Sequence, residues 1–229
     1  MALETNGSPL ISHHHPKSPI AEAFRMLRTN LHYADIDRKI RKIMVTSAGP
    51  GEGKSHIISN LGVTLAQAGQ KVLIIDADLR RPDQHKIFQL KKEWGLTRLL
   101  QQDLPLKQAV QRFAGTGLEV LTSGPIPPNP SEMLGSQRMR DFMDSIEGYD
   151  LVLVDTPPVL VVTDAQIIAD LVDGVILVID SGQVTIPLAQ KGKETLEKAR
   201  AQILGVVLNN IKPSAEDYYY YYYYGEDRP

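Results

Sequence analysis

A doubly wound α/β fold, with a mostly parallel sheet and helices on both faces, is what this 229-residue sequence predicts. Three observations carry the prediction. The short runs VLIID, LVLVD and VILVID have the near-continuous apolar character of strands buried on both faces. Segments with helical character separate them, and strands alternating with helices argue a parallel sheet. A glycine-rich turn, AGPGEGKS, joins the first strand to the helix that follows.

The elements follow in order. Residues 1–17 are polar and read as an irregular leader, in which His13, His14 and His15 are either metal ligands, a relic of cloning or simply unstructured. Ser18 and Pro19 suit an N-cap and a first helical position, so a helix is expected to about Tyr33. Lys42–Ser47 reads as a strand, Lys54 to about Ala68 as a helix ended by Gly69, and Val72–Asp76 as a buried strand. Residues 83–112 are mixed, with short helices expected at 95–101 and 106–112. Leu118–Thr122 is a further strand. The Pro-rich stretch SGPIPPNPSEM leads to Ser131 as an N-cap, with a helix to about Ile146. Leu151–Asp155, Val175–Asp180 and Ile203–Leu208 complete the strands, with helices at about 164–171 and 186–201 between them. The expected organisation is a leader (1–17), one α/β domain (18–212) and a flexible C-terminal segment (213–229).

Composition narrows the function. The chain is 42% hydrophobic and 23% charged, with a formal net charge of −2, so no broad nucleic-acid or membrane footprint is expected. There is no cysteine, which excludes disulfides, zinc–thiolate sites and thiol catalysis. No apolar run approaches the roughly 20 residues of a membrane span, and no signal peptide is read.

The turn carries the chemistry. AGPGEGKS matches the phosphate-binding P-loop pattern G-x-x-x-x-G-K-[ST], with Ala48 in place of the first glycine. Its glycines let backbone N–H groups converge on phosphate oxygens, and the helix beginning at Lys54 aims its positive end at the same anion. The nucleotide-binding stretch is Gly49, Pro50, Gly51, Glu52, Gly53, Lys54, Ser55 and His56. Lys54 is expected to reach the β- and γ-phosphates, and the Ser55 hydroxyl to ligate Mg²⁺. Asp76, Asp78 and Asp155 end or follow apolar strands, where ligands of doubly wound sheets bind, and suit a magnesium ion with its waters.

The chain closes on DYYYYYYYGEDRP. Tyr218, Tyr219, Tyr220, Tyr221, Tyr222, Tyr223 and Tyr224 lie between Glu216–Asp217 and Glu226–Asp227. Fully extended, seven residues span roughly 23–25 Å, enough to enter an active site. Full phosphorylation would add roughly −10 to −14 charges there.

Together these motifs resemble the bacterial P-loop tyrosine kinases that accompany capsule and exopolysaccharide export. PGEGKS is similar to that family's Walker A motif, IIDADLR to its Walker A′, LVLVDTPP to its Walker B, and GPIPPNPSE to a loop and helix start common in the family. The resemblance implies ATP and Mg²⁺ as cofactors. It also implies phosphoryl transfer to the tyrosine cluster, with Lys54, Asp76, Asp78 and Asp155 as catalytic residues and Ser55, Asp76 and Asp155 at the metal. Asp76 falls close to the metal and Asp78 close to the incoming hydroxyl, their roles not firmly separable. Asn209 falls where related ATPases contact adenine. Glu22, Arg25 and Arg28 match the family's E-x-x-R-x-x-R subunit interface, and an intrahelical ion pair is the simpler alternative. Arg80 and Arg81 either steer the acidic tail, stabilise phosphate or form a solvated basic turn. Implied partners are a membrane adaptor that activates the kinase, a cognate tyrosine phosphatase and sister copies in a ring, at the cytoplasmic face of the plasma membrane. A partitioning-type switch ATPase, similar to ParA and MinD, is the rival. Those proteins typically carry a signature lysine at the position of Gly49 and lack a tyrosine tail.

Overall fold

Strand residues that alternate between two apolar layers build the centre of the molecule. The computed structural model describes residues 9–34, 40–102, 104–113 and 115–211. Residues 212–229, the tyrosine cluster among them, lie outside the described residues, as do residues 1–8. In chain order the elements are α1 (Ile11–His14), α2 (Pro19–Ala34), β1 (Lys42–Ser47), α3 (Lys54–Gln67), β2 (Val72–Asp76), α4 (Gln84–Ile87), α5 (Leu96–Gln102), α6 (Leu106–Ala109), β3 (Gln111–Arg112) and β4 (Leu118–Leu121). Then follow α7 (Pro130–Leu134), α8 (Gln137–Ser145), β5 (Leu151–Asp155), α9 (Asp164–Ala169), β6 (Gly174–Asp180), α10 (Ile186–Lys198) and β7 (Ile203–Asn209).

The strands form one sheet in the order β3-β4-β2-β5-β1-β6-β7. Every pairing is parallel except that of the two-residue β3 with β4. Side chains alternate faces along a strand, so both apolar layers are written into each central run. Ile43, Val45, Ile74, Leu153 and Val178 pack into the layer shared with α2 and α3. Met44, Leu73, Ile75, Val154 and Leu177 enter the opposite layer with Met139, Ile168 and Leu196. Each such fully buried side chain contributes about 1.5–3 kcal/mol over its exposed state. Among the described residues no helix is long and apolar enough to cross a membrane.

Three expectations need correction. The part of the leader that is described is not irregular: α1 packs on α3, with Leu10 and Ser12 buried. Asn60 fastens it, accepting from Ser12 N at 2.9 Å and donating to the Pro9 carbonyl at 2.9 Å. Here a polar helix residue supplies partners that the sequence pattern alone did not suggest. His13 sets its ring edge-on to Phe113, 4.9 Å between centroids, rather than joining a metal cluster. Last, the helix expected from Ser131 to Ile146 is two helices, broken at Gly135–Ser136. The cap is Ser136, which accepts from Met139 N at 3.2 Å, while Ser131 turns its hydroxyl to Asp164. By contrast Ser18 does cap α2, accepting from Ala21 N at 3.1 Å.

Candidate active site

The C-terminal ends of β1, β2 and β5 are neighbours in the sheet, so the P-loop and the strand-end aspartates meet. Gly53 caps α3 with φ +85°, a left-handed conformation that disfavours any side chain. A Cβ there would also stand 2.2 Å from Asn209 Nδ2. Asn209 donates from that nitrogen to the Glu52 carbonyl at 2.9 Å, so the end of β7 braces the phosphate loop.

Lys54 reaches back from the first turn of α3. Its Nζ donates to Asp78 Oδ2 at 2.9 Å, to Asp155 Oδ1 at 3.3 Å and to Ser55 Oγ at 3.2 Å. Burial opposes the lysine charge, but Asp155 and then Asp78 outweigh it and hold the ammonium above its ordinary range. Asp76 and Asp155 are register partners on adjacent parallel strands, both fully buried. Burial, and then the charge of Asp155, push the Asp76 carboxyl well above the usual carboxylate range. Asp76 Oδ2 accepts from Gln84 N at 3.1 Å, whereas Asp76 Oδ1 is buried with no hydrogen-bond partner.

The five expected residues Lys54, Ser55, Asp76, Asp78 and Asp155 therefore form one constellation. Among the described residues no three His, Cys, Asp or Glu side chains are arranged to hold a metal ion by themselves. A hard cation here would need the Ser55 hydroxyl and phosphate oxygens to complete an all-oxygen shell, which suits Mg²⁺. The unpartnered, buried Asp76 oxygen is the atom that fits such an ion or its water.

Several residues that sequence reasoning passed over complete the site. Gln84 donates from Nε2 to Asp155 Oδ2 at 2.7 Å and accepts from Ser59 Oγ at 2.7 Å. The Glu52 carboxylate accepts from Gly49 N within its own loop and from Asp180 N at 3.1 Å, so β6 also holds the turn. Burial raises its carboxyl above the usual range. Asp180 ends an apolar strand as Asp76 and Asp155 do, a signal that could have drawn notice; Gln84 offers none. Arg80, expected to face the tail, phosphate or water, is instead held by buried Asp164 through Nε at 2.9 Å and Nη2 at 3.1 Å, and donates to Ser131 Oγ at 2.8 Å. Arg25 pairs with Glu22 at 2.7 Å and donates to the Pro16 carbonyl, while Arg28 donates to the Thr64 carbonyl at 3.1 Å.

The sequence profile described as "ParA: NUBPL iron-transfer P-loop NTPase" matches residues 39–219. Tyrosine-protein kinase YwqD of Bacillus subtilis (strain 168) is 47% identical over 200 residues, which are 87% of this chain and 84% of that protein. The chain belongs to the bacterial P-loop tyrosine kinases. Within that family the kinase domain of the Escherichia coli tyrosine kinase ETK superposes with a TM-score of 0.86 at 39% identity, covering 90% of this chain and 82% of that one. The septum site-determining protein MinD complexed with Mg-ADP, from Pyrococcus horikoshii OT3, shares the fold more distantly. Its TM-score is 0.64 at 25% identity, over 77% of this chain and 73% of that one. A bacterial tyrosine kinase thus shares its nucleotide-binding fold with the rival group, and the closer likeness lies on the kinase side.

Proposed function

We propose that this chain transfers the γ-phosphoryl group of ATP to tyrosine hydroxyls, chiefly Tyr218–Tyr224 of a sister copy. The carrying observation is Lys54 held between Asp78 and Asp155 beside the phosphate loop. Binding a triphosphate draws the ammonium onto the phosphates, where it offsets charge building on the β–γ bridge and γ oxygens. Asp78 Oδ2 then loses its lysine partner, while Oδ1 stays on Arg81 N, and becomes the base that accepts the phenolic proton as the new O–P bond forms and ADP leaves. A phenol titrates near 10, so this help matters at neutral pH. Ser55, Asp76 and Asp155 would hold Mg²⁺, which supplies further neutralisation of phosphate charge. Gln84 fixes Asp155 and Asp76 from behind.

The family resemblance extends the proposal to a ring of copies contacting through Glu22, Arg25 and Arg28, and to an activating membrane adaptor. It adds a cognate tyrosine phosphatase and a place at the cytoplasmic face of the membrane, serving polysaccharide synthesis and export. Asn209 is proposed to border the nucleotide. The deciding experiment is incubation with ATP and Mg²⁺ followed by mass measurement of the C-terminal peptide. Increments of about 80 Da, absent in Lys54→Met, are expected, because each phosphoryl group adds one such mass with its charge. Phosphate release without phosphotyrosine would instead indicate a switch ATPase.

A further inference from the structure

Arg80 and Asp164 form a bridge to which the proposed phosphoryl transfer assigns no task. Asp164 opens α9 and is fully buried. Its two carboxylate oxygens receive one guanidinium, Nε at 2.9 Å and Nη2 at 3.1 Å, and Oδ1 also accepts from Ser131 Oγ at 2.7 Å. A bidentate pair of this kind fixes direction as well as distance. Taking a carboxylate out of water is costly, and an apolar pair of similar volume is often the more stable choice. What the bridge supplies is register between the elements it joins.

The register it sets is that of Asp78. Arg80 lies two residues beyond Asp78, with Leu79 between them fully buried in the core. Asp78 Oδ2 accepts from Lys54 Nζ at 2.9 Å, and Oδ1 accepts from Arg81 N at 2.9 Å within its own loop. Once a triphosphate draws the lysine away, the Arg81 contact travels with the loop, so the loop itself must be held from outside. Ala77 N holds its start, donating to the Asp155 carbonyl at 2.8 Å, and Gln84 N holds its end on Asp76. The Arg80–Asp164 bridge stands between these two. Asp164 is in turn tied to the phosphate loop. The segment that leads to it from Asp155 follows the end of β1, where Val159 N donates to the Ser47 carbonyl at 2.9 Å and Leu160 N to the Ala48 carbonyl at 3.3 Å. A circuit thus runs from Ala48 through Asp164, Arg80 and Asp78 to Lys54, and a nucleotide opens it only at its last contact.

We infer that Asp164, acting through Arg80, is a positioning residue for Asp78, keeping that carboxylate in place against the phosphate loop after Lys54 has left it. The inference rests on the tyrosine-kinase reading and gives the transfer step a residue outside the phosphate loop and the strand ends. Asp164 touches neither nucleotide nor acceptor. Its effect falls on the rate of transfer, because a reacting group misplaced by about 1 Å can cost on the order of a hundredfold.

The test uses the Lys54→Met chain as acceptor, so that only the variant under study donates phosphate. Asp164→Asn keeps the side-chain size but loses the charge and one of the two bonds. It is expected to lower kcat for phosphotyrosine formation about ten- to hundredfold. Calorimetric Mg-ATP affinity and the acceptor KM should stay within about twofold of the native values, the pattern of a loss confined to the transfer step. Arg80→Lys should lie between the native chain and Arg80→Met. The double variant Arg80→Met with Asp164→Asn should be no slower than Arg80→Met alone, since both act through one bridge. Arg80→Met leaves a buried carboxylate unpaired and can fail to fold, whereas Asp164→Asn and the double variant bury no unpaired charge and remain measurable. An unchanged kcat, a fall in Mg-ATP affinity that matches the fall in rate, or a double variant whose losses multiply overturns the inference and leaves the kinase reading standing. Absence of phosphotyrosine with the native chain as donor overturns both.

Discussion

Gln84 Nε2 lies 2.7 Å from Asp155 Oδ2, while the backbone N–H of the same residue donates to Asp76 Oδ2 at 3.1 Å. One amide residue thus spans the two carboxylates that sit side by side at the ends of β2 and β5. Its side-chain oxygen accepts from Ser59 and its nitrogen also donates to the Ser55 carbonyl at 3.2 Å, which ties the pair to α3.

Gln84→Leu is therefore expected to cost about 1–3 kcal/mol of stability, since Ser59 and Asp155 each lose a buried partner. The carboxylate it frees should also wander, and Mg-ATP affinity should fall. Urea denaturation and calorimetric titration measure the two effects. A variant as stable as the original would mean that the amide is not the brace described.

Gly53→Ala should leave the sheet folded and remove nucleotide binding. The left-handed conformation alone costs about 1–2 kcal/mol for a residue with a Cβ. The added carbon must also displace Asn209 from the Glu52 carbonyl. Calorimetry with Mg-ATP, alongside a circular dichroism melt, separates a lost site from a lost fold.

Asp76→Asn should stabilise the ligand-free chain at neutral pH while abolishing phosphoryl transfer. The Asp76 carboxyl titrates higher in the folded state than in the unfolded chain, chiefly through burial and the charge of Asp155. Between its two pKa values the folded form binds more protons, so stability falls as pH rises through that window. Below the unfolded value of about 3.9 both states are protonated and the cost vanishes. The gain from Asn should accordingly be present at pH 7 and absent near pH 3.5, measured by urea unfolding at each pH. A gain equal at both would assign it to something other than ionisation.

Most of this architecture was legible in the linear order of residues. Lys42–Ser47, Val72–Asp76 and Leu151–Asp155 fall where their apolar runs place them, because a strand buried on both faces leaves an unbroken hydrophobic signature. The phosphate loop was equally plain, since glycine, lysine and serine at fixed spacing serve a local geometry. Helix ends were less legible. Ser131 and Ser136 are both plausible caps, and only the packing of α7 against α9 commits Ser131 to Asp164.

By itself, then, the sequence determined the layer order of the core, the anion-binding turn and the placement of acids at strand ends. These follow from periodicity and local backbone chemistry, which neighbouring residues encode. The partner of each buried polar group was decided only in three dimensions. Glu52 meets Asp180 across 128 positions, Arg80 meets Asp164 across 84, and Gln84 meets Asp155 across 71. A buried polar atom demands some partner, but many residues in the chain could have met that demand, and the winner is set by which strand ends the sheet brings together.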